Sequence, residues 1–164
     1  MRGLTMSKHR HENLTGEAPG SHRNQMILMV IFFAVWIIDS FVLRITTFLW
    51  SFTYFWVFLG IGGIILVAAI YFMNASHKDL FDVQVDGLAT TGVFARVRHP
   101  MYLGTHLFYL GLAVVTFSLA SIVLWAIIFI FYNSLADYEE SKLEERFGKE
   151  FLEYKSSVKK WIPI

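Results

Sequence analysis

The sequence predicts an all-α, polytopic membrane protein with about four transmembrane helices, followed by further helices at its C-terminal end. Three observations predict it. Of 164 residues, 55% are hydrophobic and only 16% are charged, against about 25% charged in soluble domains. The few charges are clustered: no Asp, Glu, Lys or Arg occurs between Ile45 and Ser76, or between Pro100 and Ala136. Lys and Arg also alternate between rich and poor in successive polar segments. The composition excludes a disordered chain, a nucleic-acid binder with a basic face and an ordinary soluble enzyme. A net charge of +1 gives no bias toward acidic or basic partners, and with no cysteine there is no disulfide, thiolate nucleophile or Cys-ligated metal.

Each element follows in order. Residues 1–25 form a polar lead rich in His, Gly, Asn and Ser, expected to be flexible. Span one, about 26–43, contains a single acid, Asp39. It is read as an anchor: the lead is long for a signal peptide, and no Ala-x-Ala site follows. Span two covers about 51–73. The charge-free stretch from Pro100 to Ala136 is too long for one crossing, since a straight helix of that length reaches ~55 Å against ~30 Å of hydrocarbon. It must turn at the small and polar residues Thr116, Ser118, Ala120 and Ser121. Spans three and four are then about 101–117 and 122–136, and the short fourth either ends near the interface or runs on into the polar helix after it.

The basic residues orient these spans. The N-terminal lead, the segment 74–99 and the C-terminal tail are rich in Lys and Arg. The first connection has only Arg44, and the third turn has none. Both termini and segment 74–99 are therefore expected in the cytoplasm. Three regions result: a tail over 1–25, two anchor helices over 26–73, and a core over 74–164.

Two polar segments could carry chemistry. In 74–99, Asp86-Gly87 is a turn signal, Gly92 frees the backbone for a tight approach, and Phe81–Val85 alternates like a short strand. An ordered loop with a helical turn at its start is expected. In the C-terminal segment, Asp137–Phe147 reads as helix, Gly148 as its C-cap and about 149–159 as a second helix. The pattern alone suits an interfacial amphipathic helix, with Phe147, Phe151, Leu152 and Tyr154 against the bilayer or the loop.

The sharpest local feature is Arg98-His99-Pro100-Met101-Tyr102-Leu103-Gly104. Pro100 suits the first turn of span three. Arg98 and His99 then lie at the membrane surface, at a helix N-terminus that favours an anion. Tyr102 lies a turn inward and His106 a turn deeper. A boundary Arg and an interfacial Tyr would fit this pattern equally well. Glu139 and Glu140 follow span four at the same face. A tight hairpin of nearly equal arms brings its open ends together, so Arg98, His99 and Tyr102 should meet Glu139 and Glu140.

Thr91-Gly92-Val93-Phe94, the Arg98–Gly104 block, Glu139-Glu140, Phe147-Gly148-Lys149-Glu150-Phe151 with Tyr154, and Trp161-Ile162-Pro163 occur in that order. This pattern resembles the isoprenylcysteine carboxyl methyltransferase and phospholipid methyltransferase superfamily of integral membrane enzymes, over roughly residues 86–163. The resemblance implies S-adenosylmethionine as methyl donor. It implies cofactor contacts from Arg98, His99, Tyr102, Glu139 and Glu140, with the backbone of Gly92, Val93 and Phe94 passing along the cofactor. Many members have Pro and Tyr where this chain has Val93 and Phe94. The implied acceptor is lipophilic, resembling an isoprenylcysteine carboxylate or a phospholipid amine, and enters laterally between helices. Carboxylate and thiolate acceptors need no base, whereas an amine must lose a proton, for which His99 is nearest. Two other readings are an NADPH-dependent membrane reductase of the sterol type and a non-enzymatic membrane adapter.

The remaining features read as structural. Asp39 either reaches the outer interface or pairs with Arg44. His106 could line the site, but a hydrogen-bonded bundle histidine is the preferred reading. Gly60, Gly62 and Gly63, and Gly104, Gly111 and Ser118 at seven-residue spacing, suit close helix packing. Trp50, Tyr54 and Trp56 resemble an interfacial belt. The histidines form no metal set.

Overall fold

A computed structural model describes residues 20–47, 52–82 and 87–163. Its helices are α1 (Ser21–Ile37), α2 (Phe52–Asp82), α3 (Pro100–Thr116), α4 (Leu119–Phe147) and α5 (Lys149–Ser157). Among the described residues, three helical stretches are long and apolar enough to cross a membrane: Ser21–Leu43, Tyr54–Leu80 and Leu119–Phe147. The 17-residue α3 is the fourth apolar helix. At ~1.5 Å per residue it reaches ~25 Å, slightly short of a bilayer core. The fold is a polytopic membrane bundle of helices.

Two helices outrun their apolar stretches. The first, α2, does not stop near residue 73 but continues through Asn74–Asp82. No Gly or Pro occurs in that continuation, and helix propagation depends on backbone hydrogen bonds rather than hydropathy. Phe81 and Asp82 therefore end a helix instead of starting a strand, and 83–86, with the Asp86 turn signal, lie outside the described residues. The second, α4, runs unbroken from Leu119 into the charged segment and ends at Gly148. At ~43 Å it exceeds the hydrocarbon thickness, so its last turns carry Glu139 and Glu140 beyond the apolar part. Gly148 has φ +54, which permits the reversal into α5.

The hairpin turn falls where the small and polar residues predict it, although the tight residue is Phe117. It takes the left-handed conformation at φ 44, and its ring stacks on Phe58 at 4.3 Å. Ser118 caps α4 by accepting the Ser121 N–H. α1 begins at Ser21 and widens into a π-helical stretch, Ile38–Leu43, before Arg44 reverses the chain at φ 57. That π stretch includes Asp39 and Ser40, both buried. The Asp39 carboxylate accepts the Thr46 N–H (2.9 Å), the Thr46 hydroxyl (2.7 Å) and the Ser118 hydroxyl (2.5 Å). It ties the end of α1 to the α3–α4 turn.

The core is shared by α1, α3 and α4, with Phe32, Tyr109, Ala113, Ile128 and Tyr132 at its centre. α2 packs along α3 through small residues instead. A Cβ on Gly62 would lie 2.8 Å from the Val115 nitrogen and 2.9 Å from the Gly111 oxygen. One on Gly104 would lie 3.0 Å from the Met73 nitrogen. Gly60 and Gly63 differ from this expectation: nothing lies within 4 Å of either added Cβ. They fall on the outward side of α2, along with exposed Ile64 and Val67. Gly62→Ala should therefore separate α2 from α3 and cost about 1–3 kcal/mol, while Gly60→Ala should be neutral or slightly stabilising. Unfolding in mixed micelles, with both variants in parallel, checks the contrast. In the expected interfacial belt Tyr54 and Trp56 are exposed, and Trp50 lies outside the described residues.

Candidate active site

The open end of the α3–α4 hairpin brings the two charged blocks together. Pro100 opens α3, leaving His99 at its N-cap and Arg98 just before it. The Arg98 Nε donates to Glu140 Oε1 at 3.0 Å. The His99 Nε2 lies 3.1 Å from the same oxygen, and its Nδ1 lies 3.8 Å from Glu139 Oε2. The Tyr102 hydroxyl donates to Glu139 Oε1. His99 and Tyr102 lie ring over ring, 5.7 Å apart and nearly parallel. Glu139, Glu140 and His99 are buried. All five residues expected to meet do so.

Arg98 has a second task. Its Nη1 donates to the Val158 carbonyl at 2.5 Å and the Lys155 carbonyl at 3.1 Å. Its backbone N–H donates to Lys159 O at 3.0 Å. The guanidinium therefore joins α4 to the end of α5. Lys155 of α5 stands 3.5 Å from Glu140 Oε2. Spacing in sequence gives no hint of this contact, which spans fifteen residues and a helix break.

The Gly92 loop is held differently from the expectation. Gly92 takes φ +60 and opens a short 3-10 turn, Gly92–Ala95. The Asp79 carboxylate on α2 fills the space beside it, accepting the Val93 N–H at 2.7 Å. A Cβ on residue 92 would stand 2.0 Å from that carboxylate. Asp79 thus anchors the loop, Val93 is buried, and the Phe94 carbonyl accepts the Tyr154 hydroxyl at 2.7 Å. Of the two sequence options for Tyr154, the loop contact is the one formed.

His106 corrects the sequence reading: it is buried, but neither ring nitrogen has a hydrogen-bond partner. Its neighbours are rings: Phe129 at 5.0 Å, Tyr132 at 4.9 Å and Trp161 at 5.8 Å. The physical reason is the C-terminal tail, which folds back so that Trp161 covers the α3–α4 groove.

Burial holds the His99 imidazole below its ordinary range; Glu140 opposes this, and the Lys160 and Arg98 charges reinforce it. That direction favours the neutral imidazole. The cluster combines two buried carboxylates, a half-buried guanidinium, a buried imidazole and a phenol.

A groove of about 330 Å3, lined by His22, Met26, Met29, Met73, Phe108 and Tyr132, reaches this cluster through Tyr132. Tyr132 is the shared wall, its ring 5.1 Å from that of Tyr102.

A profile of the phospholipid methyltransferase family matches residues 57–150, more than half of the chain. The chain belongs to the phospholipid methyltransferase family. The match includes the Arg98–Gly104 block and Glu139-Glu140 and stops short of the C-terminal tail. Among relatives of this family member, protein-S-isoprenylcysteine O-methyltransferase A of Arabidopsis thaliana is 33% identical over 108 residues, 63% of this chain and 55% of that protein. The human protein-S-isoprenylcysteine O-methyltransferase is 35% identical over 78 residues, 47% of this chain and 28% of that protein. The chain thus spans about half the length, or less, of the curated relatives it matches. The solved structure of the eukaryotic intramembrane Ras methyltransferase ICMT (isoprenylcysteine carboxyl methyltransferase) matches with a TM-score of 0.65. That match covers 88% of this chain and 53% of the other at 19% identity, and shows the shared fold.

Proposed function

We propose that this protein is a membrane-embedded methyltransferase that uses S-adenosylmethionine and methylates a lipophilic acceptor entering sideways from the bilayer. The observation that carries the reading is the cluster of Arg98, His99 and Glu140 with Tyr102 and Glu139, set beside an apolar groove. Its polar groups fit the donor. Buried carboxylates suit its α-amino group and ribose hydroxyls, and an Arg suits its carboxylate. When bound, S-adenosylmethionine supplies an electrophilic methyl group on a sulfonium sulfur.

The protein's own work is positioning, which suits an in-line displacement. Arg98 and His99 fix Glu140, and Tyr102 orients Glu139. Tyr132 separates the polar cluster from the methionine-lined groove, where an acceptor's apolar tail fits and flexible methionines adapt to its shape. The acceptor class consistent with the relatives is an isoprenylcysteine carboxylate; a phospholipid amine is the second acceptor. For an amine, His99 is the nearest base, its neutral form favoured by burial, although Glu140 already engages its Nε2. The charge pattern supports a cytoplasmic position for this site and both termini.

S-adenosylhomocysteine should raise the melting temperature of the detergent-solubilised protein, by the equivalent of ~2.7 kcal/mol at a hundred times Kd. Tyr102→Phe, which removes one hydrogen bond to Glu139, should weaken that binding about fivefold. Stabilisation by NADPH with none by S-adenosylhomocysteine would favour the reductase reading, and no response to either would favour the adapter. Radiolabelled methyl transfer into lipid and prenyl-peptide extracts identifies the acceptor.

A further inference from the structure

The tail after α5 is built into the site although the family match ends before it. Val158 leaves the helix in an extended conformation. From there the chain is fastened at two places. Arg98 holds the Val158 and Lys159 carbonyls. Further on, the Trp161 Nε1 donates to Asn133 Oδ1 at 3.0 Å, and the Asn133 Nδ2 donates to Asp137 Oδ2 at 3.0 Å. The Lys160 Nζ closes the circuit on Asp137 Oδ1 at 2.5 Å. Both fastenings serve to set one ring. The Trp161 indole lies 5.8 Å from the His99 ring and 5.8 Å from that of His106, and packs on Phe129 at 5.3 Å.

We propose that Trp161 is a positioning residue: the C-terminal strap uses it to shield the His99 imidazole from water and to hold it in the orientation that donor binding requires. The inference rests on the methyltransferase reading above. The donor carries positive charge on its sulfonium sulfur and its α-amino group. A site for it needs negative charge, which Glu139 and Glu140 provide and which Arg98 and Lys155 already offset in part. A protonated His99 would offset more of it. The groups facing His99 are Glu139 and Glu140 from α4, Arg98 and Tyr102 from its own segment, Lys155 from α5 and Lys160 from the strap. Burial is what favours the neutral imidazole among them, and Trp161 supplies part of that burial. Its ring also flattens His99 against Tyr102, so that Nε2 stays on Glu140.

The experiment compares wild type, Trp161→Ala, Trp161→Phe and Asn133→Ala in detergent. Two readouts are taken between pH 5 and 8: S-adenosylmethionine affinity by calorimetry, and the His99 imidazole titration by NMR without ligand. In Trp161→Ala the affinity at pH 7.5 should fall roughly tenfold, as for residues that orient a binding group. The acid limb of binding and the His99 titration should both move to higher pH. Trp161→Phe, which still covers the imidazole, should stay near wild type in both. Asn133→Ala cuts the tether while leaving the indole in place and should move both readouts in the Trp161→Ala direction, by less. It stands as the deciding variant if Trp161→Ala does not fold. A purely structural role for Trp161 lowers the melting temperature and leaves the His99 titration where it was; that result overturns the proposal. Failure of wild type to bind S-adenosylmethionine overturns the methyltransferase reading instead, and the ligand-free titration still tests what Trp161 does to His99.

Discussion

Glu140→Ala is expected to abolish S-adenosylhomocysteine binding and to destabilise the protein by about 3–5 kcal/mol, the cost of stranding a buried charge. Glu140 Oε1 is shared by the Arg98 Nε and the His99 Nε2, and its other oxygen faces Lys155. Removing the carboxylate leaves a guanidinium that is only 11% exposed with no anion of its own. The loss spreads because Arg98 also holds the ends of α5 and the strap. Glu140→Gln separates the two effects. It keeps an oxygen acceptor for Arg98 and conserves volume, so it should recover roughly half of the stability while binding remains weak, since charged hydrogen bonds contribute about twice as much as neutral ones. Unfolding in mixed micelles reads the stability, and calorimetry reads the binding. A Glu140→Ala protein with wild-type melting and binding would show that this cluster is neither keystone nor site.

The parts of the fold that were legible in the sequence are those fixed by local chemistry. Charge-free stretches mark the apolar helices because a bilayer tolerates few charges. Pro100 marks the start of α3, and Gly148 marks the end of α4 because a left-handed residue is needed there. Arg98 and His99 meet Glu139 and Glu140 because a tight turn between two helices of similar length brings their open ends together. The misses share a different cause. The continuation of α2 to Asp82 depends on backbone hydrogen bonds, which hydropathy does not register. The Asp79 anchor for the Gly92 loop depends on that continuation. The return of Trp161 to His99 and His106 is a contact across more than fifty residues, set in part by backbone carbonyls that carry no residue identity. His106 was read as hydrogen-bonded for the same reason: the residue that covers it lies at the far end of the chain.

Asp39→Ala should cost about 3 kcal/mol, although Asp39 lies far from the candidate site in sequence and at the opposite end of the bundle. Its carboxylate accepts three hydrogen bonds, two from Thr46 and one from Ser118. These partners are themselves shared. The Thr46 hydroxyl accepts the Ala120 N–H at 2.9 Å, and the Thr46 carbonyl accepts the Leu119 N–H at 3.2 Å, so the first turn of α4 is satisfied from the loop after α1. A second layer lies beside it: the Trp36 Nε1 and the Ser40 hydroxyl both donate to Thr116 Oγ1. Alanine at 39 strands the Thr46 and Ser118 donors at the α3–α4 turn, and the effect should reach the site through the hairpin. The distinctive expectation is therefore a coupled one. Asp39→Ala should loosen the hairpin and lower S-adenosylhomocysteine affinity severalfold by depopulating the paired state, with no change in the pH at which binding is lost, because no group around His99 is altered. Asp39→Asn keeps the acceptor for Thr46 and should cost less than half as much. Hydrogen exchange at the α4 amides Leu119–Ile122 gives the direct check: faster exchange there in Asp39→Ala supports the clamp, and unchanged exchange removes it.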